Sequence, residues 1–401
     1  MLSKQEHKIM KILQIIPSIS LIYGGPSQMV INLASTLAKE QLEITILTTD
    51  SNGDTGQQPL HVPLNHPVQQ DGYQIIYFRC SPFRRYKFSL NLLKWLKIHA
   101  CEFDLAHIHA LFSPVSTAAA RVCRQQKLPY ILRPLGTLDP ADLRKKKQLK
   151  QLYVQLMERR NIAGAAAIHF TSNQEAKISE RFGVATRDLV IPLGVIPPKP
   201  IPDAGNIVRN QFKIPPDFPL VLFMSRIDQK KGLNLLLPAL EKLLASQFNF
   251  HFVLAGTNSQ DPDYEQKIKS HIANSPLRSH TTITGFVSGE LKASLLQAAD
   301  LFVLPSYYEN FGIAVAEAMV AGIPVVISDH VHIWQQVHDS KSGWIGKTEV
   351  ETFVELIKEA LQNPQQRQQR GLNAQQYALQ HFSWSAIARQ TIQAYQQIIT
   401  K

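Results

Sequence analysis

The sequence predicts an α/β fold made of two doubly wound domains, and three features of the chain lead to this prediction. First, 401 residues are too many for one ordinary core, because hydrophobic cores stop growing beyond roughly 250–300 residues. Second, short apolar runs of strand character alternate with segments of helical periodicity in both halves. Third, a proline-rich stretch at 197–203 lies between the halves and is typical of a linker.

The first half begins with an apolar run at 12–16, which we interpret as a buried strand, and a loop with Gly24 and Gly25 follows it. Apolar residues recur every four positions from 29 to 37 and predict a helix, and a second strand at 44–47 completes a βαβ unit. The chain has no Gly-x-Gly-x-x-Gly motif here, so a dinucleotide site is disfavoured. The two glycines either form a plain tight turn or allow the backbone to approach a phosphate or sugar.

The rest of the first half alternates in the same way after a polar segment at 51–72, which is rich in Gln, Pro and Gly and predicts a mobile loop. The remaining predicted elements are strands at 75–78 and 105–110, a strand with its exit loop at 129–137, strands at 165–172 and 190–195, and helices at 90–98 and 149–160.

The second half repeats the alternation and ends in an amphipathic helix. Its predicted elements are strands at 220–224, 250–256, 282–287, 301–304 and 325–328, a leucine-rich helix at 235–244, helices at 291–299 and 314–321, a Gln-rich surface helix around 363–370 and the last helix up to 399. We therefore expect domains at 1–195, completed by 385–401, and at 206–384, with a linker at 196–205.

The most informative stretch joins two of these strands. Pro305 ends a buried strand, a polar loop follows, and a helix-like run begins at Gly312. In a parallel sheet, this order places the loop at the carboxyl edge of the strands, where ligands bind. Glu309 and Glu317 lie eight residues apart, and neither position suits a helix cap. Because carboxylates suit sugar hydroxyls and free N–H groups suit phosphates, we interpret the stretch as a nucleotide-sugar site.

The stretch resembles the Glu-x7-Glu signature of the family 4 retaining glycosyltransferases, which have the GT-B fold. The match runs from Glu309 to Glu317 and includes the flanking Pro-Ser-x-x-Glu-x-Phe-Gly and Glu-Ala-Met-Ala-x-Gly-x-Pro-Val-Val patterns, with Val320 in place of the usual Ala. Residues 225–232 are similar to the family's diphosphate loop, Ser-Arg-x-Asp-x-x-Lys-Gly. The resemblance implies two Rossmann-like domains that face each other across a cleft, with the last helix crossing back to the first domain.

The resemblance also implies roles for the matching residues. Arg226 and Lys231 would stabilise the charge that develops on a departing diphosphate, and Lys230 is the less favoured neighbour. The leaving phosphate would itself accept the acceptor's proton, so no protein nucleophile is named, although Glu309 as a glycosidase-type nucleophile is an alternative. The implied donor contacts are Glu309 with the sugar hydroxyls, the backbone of Asn310, Phe311 and Gly312 with sugar and phosphate, Glu317 with the ribose, Phe286 beside the base, and Gly24 and Gly25 closing over donor and acceptor.

Acceptor contacts are expected in the first half. Many relatives have a His at the position of Leu135, and its absence here shifts the expectation to His109 and Arg133. His107 and His109 point to the same face of a strand, so a metal held by both is an alternative. A hydrogen-bonded rim position without an active-site role is a second alternative for His109, and His107 is interpreted as structural.

We expect activity without a metal or other cofactor. Asp261 and Asp263 form an Asp-x-Asp pair like that of a different glycosyltransferase fold, but they follow a polar loop, and fixed cations already do a metal's work. Cys80, Cys101 and Cys123 are an odd number without paired metal spacing. They are typical of reduced thiols in a cytoplasmic protein.

The net charge of +11 is concentrated in the first half: residues 1–190 contain 24 Lys and Arg against 14 Asp and Glu, and the remainder contains 18 against 17. Clusters of cations beside aromatic residues allow peripheral contact with an anionic membrane surface, and solvated helix faces are the alternative. The basic clusters are at 84–87, 94–97 and 144–150. No nucleic-acid-binding motif accompanies the charge, so we expect no nucleic acid partner.

The apolar part of the first twenty residues is too short for a signal sequence or a membrane span.

The sequence therefore predicts a retaining, metal-independent hexosyltransferase that moves a sugar from a nucleoside-diphosphate sugar to a hydroxyl of a glycan or lipid-linked acceptor. We expect it in the cytoplasm, at the inner membrane face, in the synthesis of cell-surface polysaccharide or glycolipid. The alternatives are a GT-B sugar-nucleotide epimerase or phosphorylase, and a non-catalytic subunit that binds sugar nucleotides.

Overall fold

The computed structural model describes residues 9–23, 25–53, 57–82, 84–144 and 147–400. The chain divides into two compact units, each built around its own sheet. The first unit consists of Met1–Gly194 and Trp384–Lys401, and the second of Val195–Ser383. Within the described ranges, no helix is both long enough and apolar enough to cross a membrane.

Strands form where the sequence has short apolar runs, and most of their residues are buried. The strands of the first unit are β1 (Lys11–Ile15), β2 (Glu43–Thr49), β3 (Pro67–Gln70), β4 (Tyr73–Phe78), β5 (Leu105–His109), β6 (Tyr130–Arg133), β7 (Ala167–Phe170) and β8 (Asp188–Val190). Those of the second unit are β9 (Leu220–Met224), β10 (His251–Ala255), β11 (Thr281–Gly285), β12 (Leu301–Leu304), β13 (Val325–Ser328) and β14 (Gly343–Gly346).

Helices connect most of the strands. Those of the first unit are α1 (Gly25–Lys39), α2 (Leu90–His99), α3 (Pro114–Gln125), α4 (Pro140–Leu143), α5 (Lys147–Tyr153) with a π-helical turn at Val154–Glu158, α6 (Arg159–Gly164) and α7 (Asn173–Ile178). The second unit contains α8 (Ala204–Phe212), α9 (Leu233–Ala245), α10 (Pro262–Ala273), α11 (Gly289–Ala298), α12 (Ile313–Val320), α13 (Trp334–Asp339), α14 (Val350–Gln362) and α15 (Pro364–His381). The chain then returns to the first unit as α16 (Trp384–Ile399).

Both sheets have the strand order of doubly wound domains. The first sheet runs β3-β4-β2-β1-β5-β6-β7-β8, with β3 antiparallel to β4 and the other pairs parallel. The second sheet runs β11-β10-β9-β12-β13-β14 and is parallel throughout. The order reverses between β1 and β5 and between β9 and β12. At such points the connecting loops diverge and leave a crevice at the carboxyl ends of the strands.

Apolar side chains cover both faces of the first sheet. One cluster includes Val30 and Leu37 of α1 together with Ile387 and Tyr395 of α16, so the last helix completes this domain. The cluster on the other face includes Leu92 of α2. The predicted return of the last helix to the first domain is therefore confirmed.

The structure corrects the prediction of a continuous loop at 51–72, because β3 lies within it and pairs with β4. Its sequence, Pro-Val-Gln-Gln, lacks the alternation that marks a strand, and three of its four residues are exposed. Backbone pairing at the sheet edge, and not burial, holds it. The sequence interpretation also did not include β14 or the helices α3, α7, α8, α10, α13 and α14.

Candidate functional site

The loops that follow β9 and β12 flank the crevice of the second unit and are fastened to each other. The amide of Tyr307 donates to the carbonyl oxygen of Lys230 over 2.8 Å. Gly232 has a φ of +73°, and a Cβ there would overlap the carbonyl oxygen of Pro305. Only glycine adopts this left-handed conformation readily and leaves room for the second loop. The diphosphate-type loop at 225–232 is therefore held against the loop that contains Glu309.

Lys231 forms an ion pair with Glu309 at this point. The two side chains are 16% and 21% exposed, respectively. The backbone of Glu309 is also fixed, since its N–H donates to the His330 carbonyl over 3.1 Å and its carbonyl accepts from the His332 amide over 3.0 Å. Because partly buried charges interact more strongly than charges on an open surface, this pair holds the Lys231 ammonium and the Glu309 carboxylate together at the crevice.

Lys230 has different surroundings from its neighbour. It lines a groove of about 640 Å³ together with Asn234, Tyr264 and Tyr307. Both lysines belong to a short 3₁₀ turn at Gln229–Lys231, which the Asp228 side chain caps. The structure thus brings Lys231, and not Lys230, to Glu309.

Glu317 is paired with a cation that the sequence interpretation did not identify. It lies on α12, and its carboxylate is 2.6 Å from the Lys292 ammonium of α11. Helix α12 begins after Gly312, which has a φ of +85° and has no side chain to cap the helix. Glu317 thus lies one turn beyond the start of α12, and its cation comes from the preceding helix α11.

Arg226 is exposed and donates from Nη1 to the Gln260 side-chain oxygen over 3.2 Å. The neighbouring Asp261 accepts a hydrogen bond from the Tyr264 amide over 3.2 Å and caps α10. This contact accounts for Asp261 as a helix cap.

Two phenylalanines in the predicted donor site differ in exposure. Phe286, between β11 and α11, is 77% exposed, so its ring offers a flat apolar face. Phe311 is buried and packs edge to face on Phe382, with ring centroids 5.4 Å apart. Only the backbone of Phe311 is available to a ligand, as the sequence interpretation assumed.

The predicted residues of the first unit lie at the carboxyl ends of its strands. His109 and Arg133 are register partners in β5 and β6, and both are buried. His109 Nε2 bonds to the Gln14 oxygen over 2.8 Å, and the ring stacks on His107 at 4.5 Å. Burial, and then the neighbouring Arg133 guanidinium and His169 imidazole, hold the pKa of His109 well below its usual range.

Of the glycine pair, Gly25 is exposed and begins α1, and Gly24 lies outside the described residues. The side chains of His109 and Arg133 point to the same face as Gln14 and His169. The sequence signal for this arrangement was a single polar residue inside each of two apolar runs, ILQII and AAAIHF. It was missed.

The chain matches two family models. "Glycosyl transferase 4-like domain" matches residues 24–194, and "Glycosyl transferases group 1" matches residues 206–377. An uncharacterized glycosyltransferase of Methanocaldococcus jannaschii is 29% identical over 47% of each chain. An alpha-D-kanosaminyltransferase of Streptomyces kanamyceticus is 30% identical over 45% of this chain and 46% of its own. The matched region thus spans about half the length of these relatives.

Solved structures match over nearly the whole chain. A sucrose-phosphate synthase from Thermosynechococcus elongatus has a TM-score of 0.74 and 22% identity, with coverage of 98% of this chain and 99% of its own. HepE from Anabaena in complex with UDP has a TM-score of 0.76 and 20% identity, with coverage of 97% and 100%. These likenesses establish the two-domain, Rossmann-like GT-B fold.

Proposed function

Because this chain belongs to the family 4 glycosyltransferases of the GT-B fold, we propose that it transfers a sugar from a nucleoside-diphosphate sugar to a hydroxyl group. The acceptor is a glycan or a lipid-linked glycan, and the configuration of the anomeric carbon is retained. The ability of HepE to bind UDP and UDP-glucose supports a nucleotide-sugar donor.

The observation that carries the proposal is the Lys231–Glu309 ion pair at the point where the second sheet reverses its strand order. A cation for a diphosphate and an acid for sugar hydroxyls are thereby held together on two fastened loops. The Glu317 carboxylate and the exposed Phe286 ring extend this set with groups that suit a ribose diol and a base.

Departure of the nucleoside diphosphate builds negative charge on the bridging phosphate oxygen. Lys231 and Arg226 stabilise that charge more in the transition state than in the bound donor, and so they lower the barrier. Before the donor binds, the Lys231 ammonium forms an ion pair with the Glu309 carboxylate. The incoming diphosphate therefore replaces part of that contact, while Glu309 becomes available to the sugar hydroxyls.

Retention of configuration follows if the leaving phosphate accepts the proton of the attacking hydroxyl on the same face of an oxocarbenium-like centre. This scheme needs no protein nucleophile. Glu309 binds and orients the sugar, because its carboxylate accepts hydrogen bonds from the sugar hydroxyls once the diphosphate has taken over part of the Lys231 contact.

We assign acceptor contacts to His109 and Arg133 and the closing loop to Gly24 and Gly25. His109 and Arg133 end neighbouring strands beside the crevice between β1 and β5. The exposed start of α1 at Gly25 supports a loop that approaches a ligand with its backbone.

The reaction is proposed to need no divalent metal. Two fixed cations supply the charge stabilisation that a metal would give, and Asp261 of the Asp-x-Asp pair is engaged as a helix cap. Activity should persist in EDTA, and complete loss with rescue by Mg²⁺ or Mn²⁺ would contradict this part of the proposal.

The acceptor is proposed to be presented at the cytoplasmic face of a membrane, in the synthesis of a cell-surface polysaccharide or glycolipid. On α2, the exposed Lys94 and Lys97 are accompanied by Leu90 and by Ile98, which is 69% exposed. Cations around exposed apolar side chains suit an anionic lipid surface.

A donor panel tests the function. The purified chain is incubated with UDP-, GDP- and ADP-linked hexoses, with and without glycan acceptors, and the products are separated. Release of nucleoside diphosphate with transfer, or slow hydrolysis when no acceptor is present, supports a transferase. An epimerised sugar nucleotide, a requirement for phosphate, or binding without turnover would replace it with one of the other GT-B activities or with a non-catalytic subunit.

A further inference from the structure

A row of polar side chains crosses one face of the otherwise apolar first sheet, beneath α16. All of them are buried, and they come from four neighbouring strands. The members of this polar row are Gln14, His107, His109, Arg133 and His169.

The hydrogen bonds of the polar row fix where its protons lie. His169 Nε2 is 2.9 Å from the carbonyl oxygen of Ile191, and a carbonyl only accepts, so Nε2 carries the proton. Burial lowers the pKa of His169 to about 3, so the ring is neutral near pH 7 and its Nδ1 is an acceptor. His107 Nε2, 3.1 Å away, must therefore donate to it.

Tyr395 of α16 continues this chain of hydrogen bonds. Because His107 Nε2 carries the proton of the neutral ring, His107 Nδ1 accepts a hydrogen bond from the Tyr395 hydroxyl over 2.8 Å. The hydroxyl oxygen accepts from Gln14 Nε2 over 2.9 Å, and the Gln14 oxygen accepts from His109 Nε2 over 2.8 Å. His109 Nδ1 is left as a bare acceptor, and among the described residues this buried atom has no hydrogen-bond partner.

Arg133 ends the neighbouring strand β6, where it is the register partner of His109. Arg133 is 4% exposed, and its buried Nε has no hydrogen-bond partner among the described residues. The charge of Glu175 acts on it, but that carboxylate accepts from the amide and the hydroxyl of Thr171, each over 2.6 Å. A buried guanidinium N–H without a hydrogen-bond acceptor is costly to the fold, and an anionic ligand would supply that acceptor.

We propose that Arg133 binds an anionic group, a phosphate or a carboxylate, that belongs to the acceptor. This inference rests on the proposed function and adds the chemical class of the acceptor. A guanidinium matches both anions with paired N–H donors. The three neighbouring histidines are neutral and supply no competing positive charge. The His109 Nδ1 lone pair accepts a hydrogen bond from a hydroxyl of the same ligand.

The first test measures phosphate binding by thermal unfolding of the full chain, with chloride as the ionic-strength control. The melting temperature of the natural protein should rise with phosphate concentration, because the anion binds only the folded state. Arg133→Met should bind phosphate roughly 10–100-fold more weakly, as expected for a lost charge-assisted hydrogen bond. Arg278→Ala is the matched control, since it removes an exposed arginine of the second unit that has no proposed role in donor or acceptor binding, and it should keep the Arg133-dependent response.

Sugars distinguish the two anions. Glucose 6-phosphate or glucuronate should stabilise the natural protein but not Arg133→Met, and neutral glucose should have no such effect. A response to glucose 6-phosphate alone identifies a phosphate, and a response to glucuronate alone identifies a carboxylate. Equal responses of the natural protein and Arg133→Met to all three sugars would overturn the proposal.

A measurement on the natural chain covers the case in which Arg133→Met does not fold. Titration with inorganic phosphate should shift the imidazole ¹⁵N resonances of His107, His109 and His169, and unchanged resonances at saturating phosphate would overturn the proposal. Neither measurement uses a sugar nucleotide. A failed donor panel therefore leaves the anion site standing, and a missing anion response leaves glycosyl transfer standing.

Discussion

Lys230 and Lys231 are adjacent in the chain, but only Lys231 contacts an acid of the crevice. We predict that Lys231→Ala lowers kcat by roughly 10²–10³, the loss seen when one group that stabilises a developing charge is removed. Arg226→Ala should behave similarly. Steady-state kinetics with the donor selected from the panel measures both.

Lys230→Ala is the matched control for this prediction, since it removes a cation one position away and should keep most of the activity. Retention of more than half the natural rate by Lys231→Ala would remove this lysine from the mechanism. Equal losses for Lys230→Ala and Lys231→Ala would indicate a general electrostatic effect in place of a specific contact.

Among the loops, Gly232 follows Lys231 directly and lies against the carbonyl oxygen of Pro305. We predict that Gly232→Ala destabilises the chain by about 2–4 kcal/mol, from an unfavourable φ together with overlap at the Pro305 carbonyl. Gly183→Ala is the control, because Gly183 has a similar φ of +72° and no atom within 4 Å of the added Cβ. It should cost only about 1 kcal/mol.

Chemical denaturation of the two glycine variants gives the comparison. The same costs for both would show that the second loop moves away freely and that the fastening of the two loops is weak. A larger cost for Gly232→Ala, accompanied by reduced donor turnover, supports the close approach of the loops.

The polar row in β1, β5, β6 and β7 makes the stability of the first unit depend on pH. The pKa values of His107, His109 and His169 are lowered from 6.5 by burial, to about 3 for His169. Between the folded and unfolded pKa values, the unfolded chain binds more protons. Stability is therefore fully present above about pH 6.5 and is lost as the pH falls.

We predict a loss of up to ~1.4 kcal/mol per pH unit for each of these histidines below pH 6.5. Chemical denaturation at pH 7, 6 and 5 measures it, and His169→Gln should reduce the slope. His338→Gln, which replaces a side chain that is 70% exposed, is the control. A free energy of unfolding that stays constant from pH 7 to pH 5 would contradict the buried neutral histidines.

The sequence predicted those strands, helices and site residues that depend on residues close together in the chain. The apolar runs gave the main strands, and the motif around Glu309 gave the acids of the crevice. β3 was missed because backbone pairing and not burial holds it. The partners of two site residues were also missed. Lys292, which pairs with Glu317, is 25 residues away from it, and Tyr395, which bonds to His107, is 288 residues away. Only the tertiary fold brings such pairs together.

For the molecule as a whole, the uneven charge leads to a prediction about membranes. Lys94→Ala combined with Lys97→Ala should reduce binding to vesicles that contain anionic lipid by roughly 30-fold, at about 1 kcal/mol per cation near the surface. Co-sedimentation with vesicles of phosphatidylglycerol and phosphatidylcholine measures the loss. Lys213→Ala combined with Lys341→Ala removes two exposed cations of the second unit and is the control.

Binding that is equal for both double variants would show that α2 has no special role. Binding that persists on purely zwitterionic vesicles would show that charge does not drive it. In either case the first half would carry its positive charge for another reason, such as solubility.

In the proposed reaction, the second unit holds a nucleoside-diphosphate sugar so that the sugar leaves and is transferred with its configuration retained. A ¹H NMR time course of the chain with donor and acceptor tests this most directly, because the anomeric proton reports both transfer and configuration. We predict that nucleoside diphosphate appears together with a glycoside of the same anomeric configuration as the donor. Release with inversion, or no release from any donor of the panel, would contradict the account.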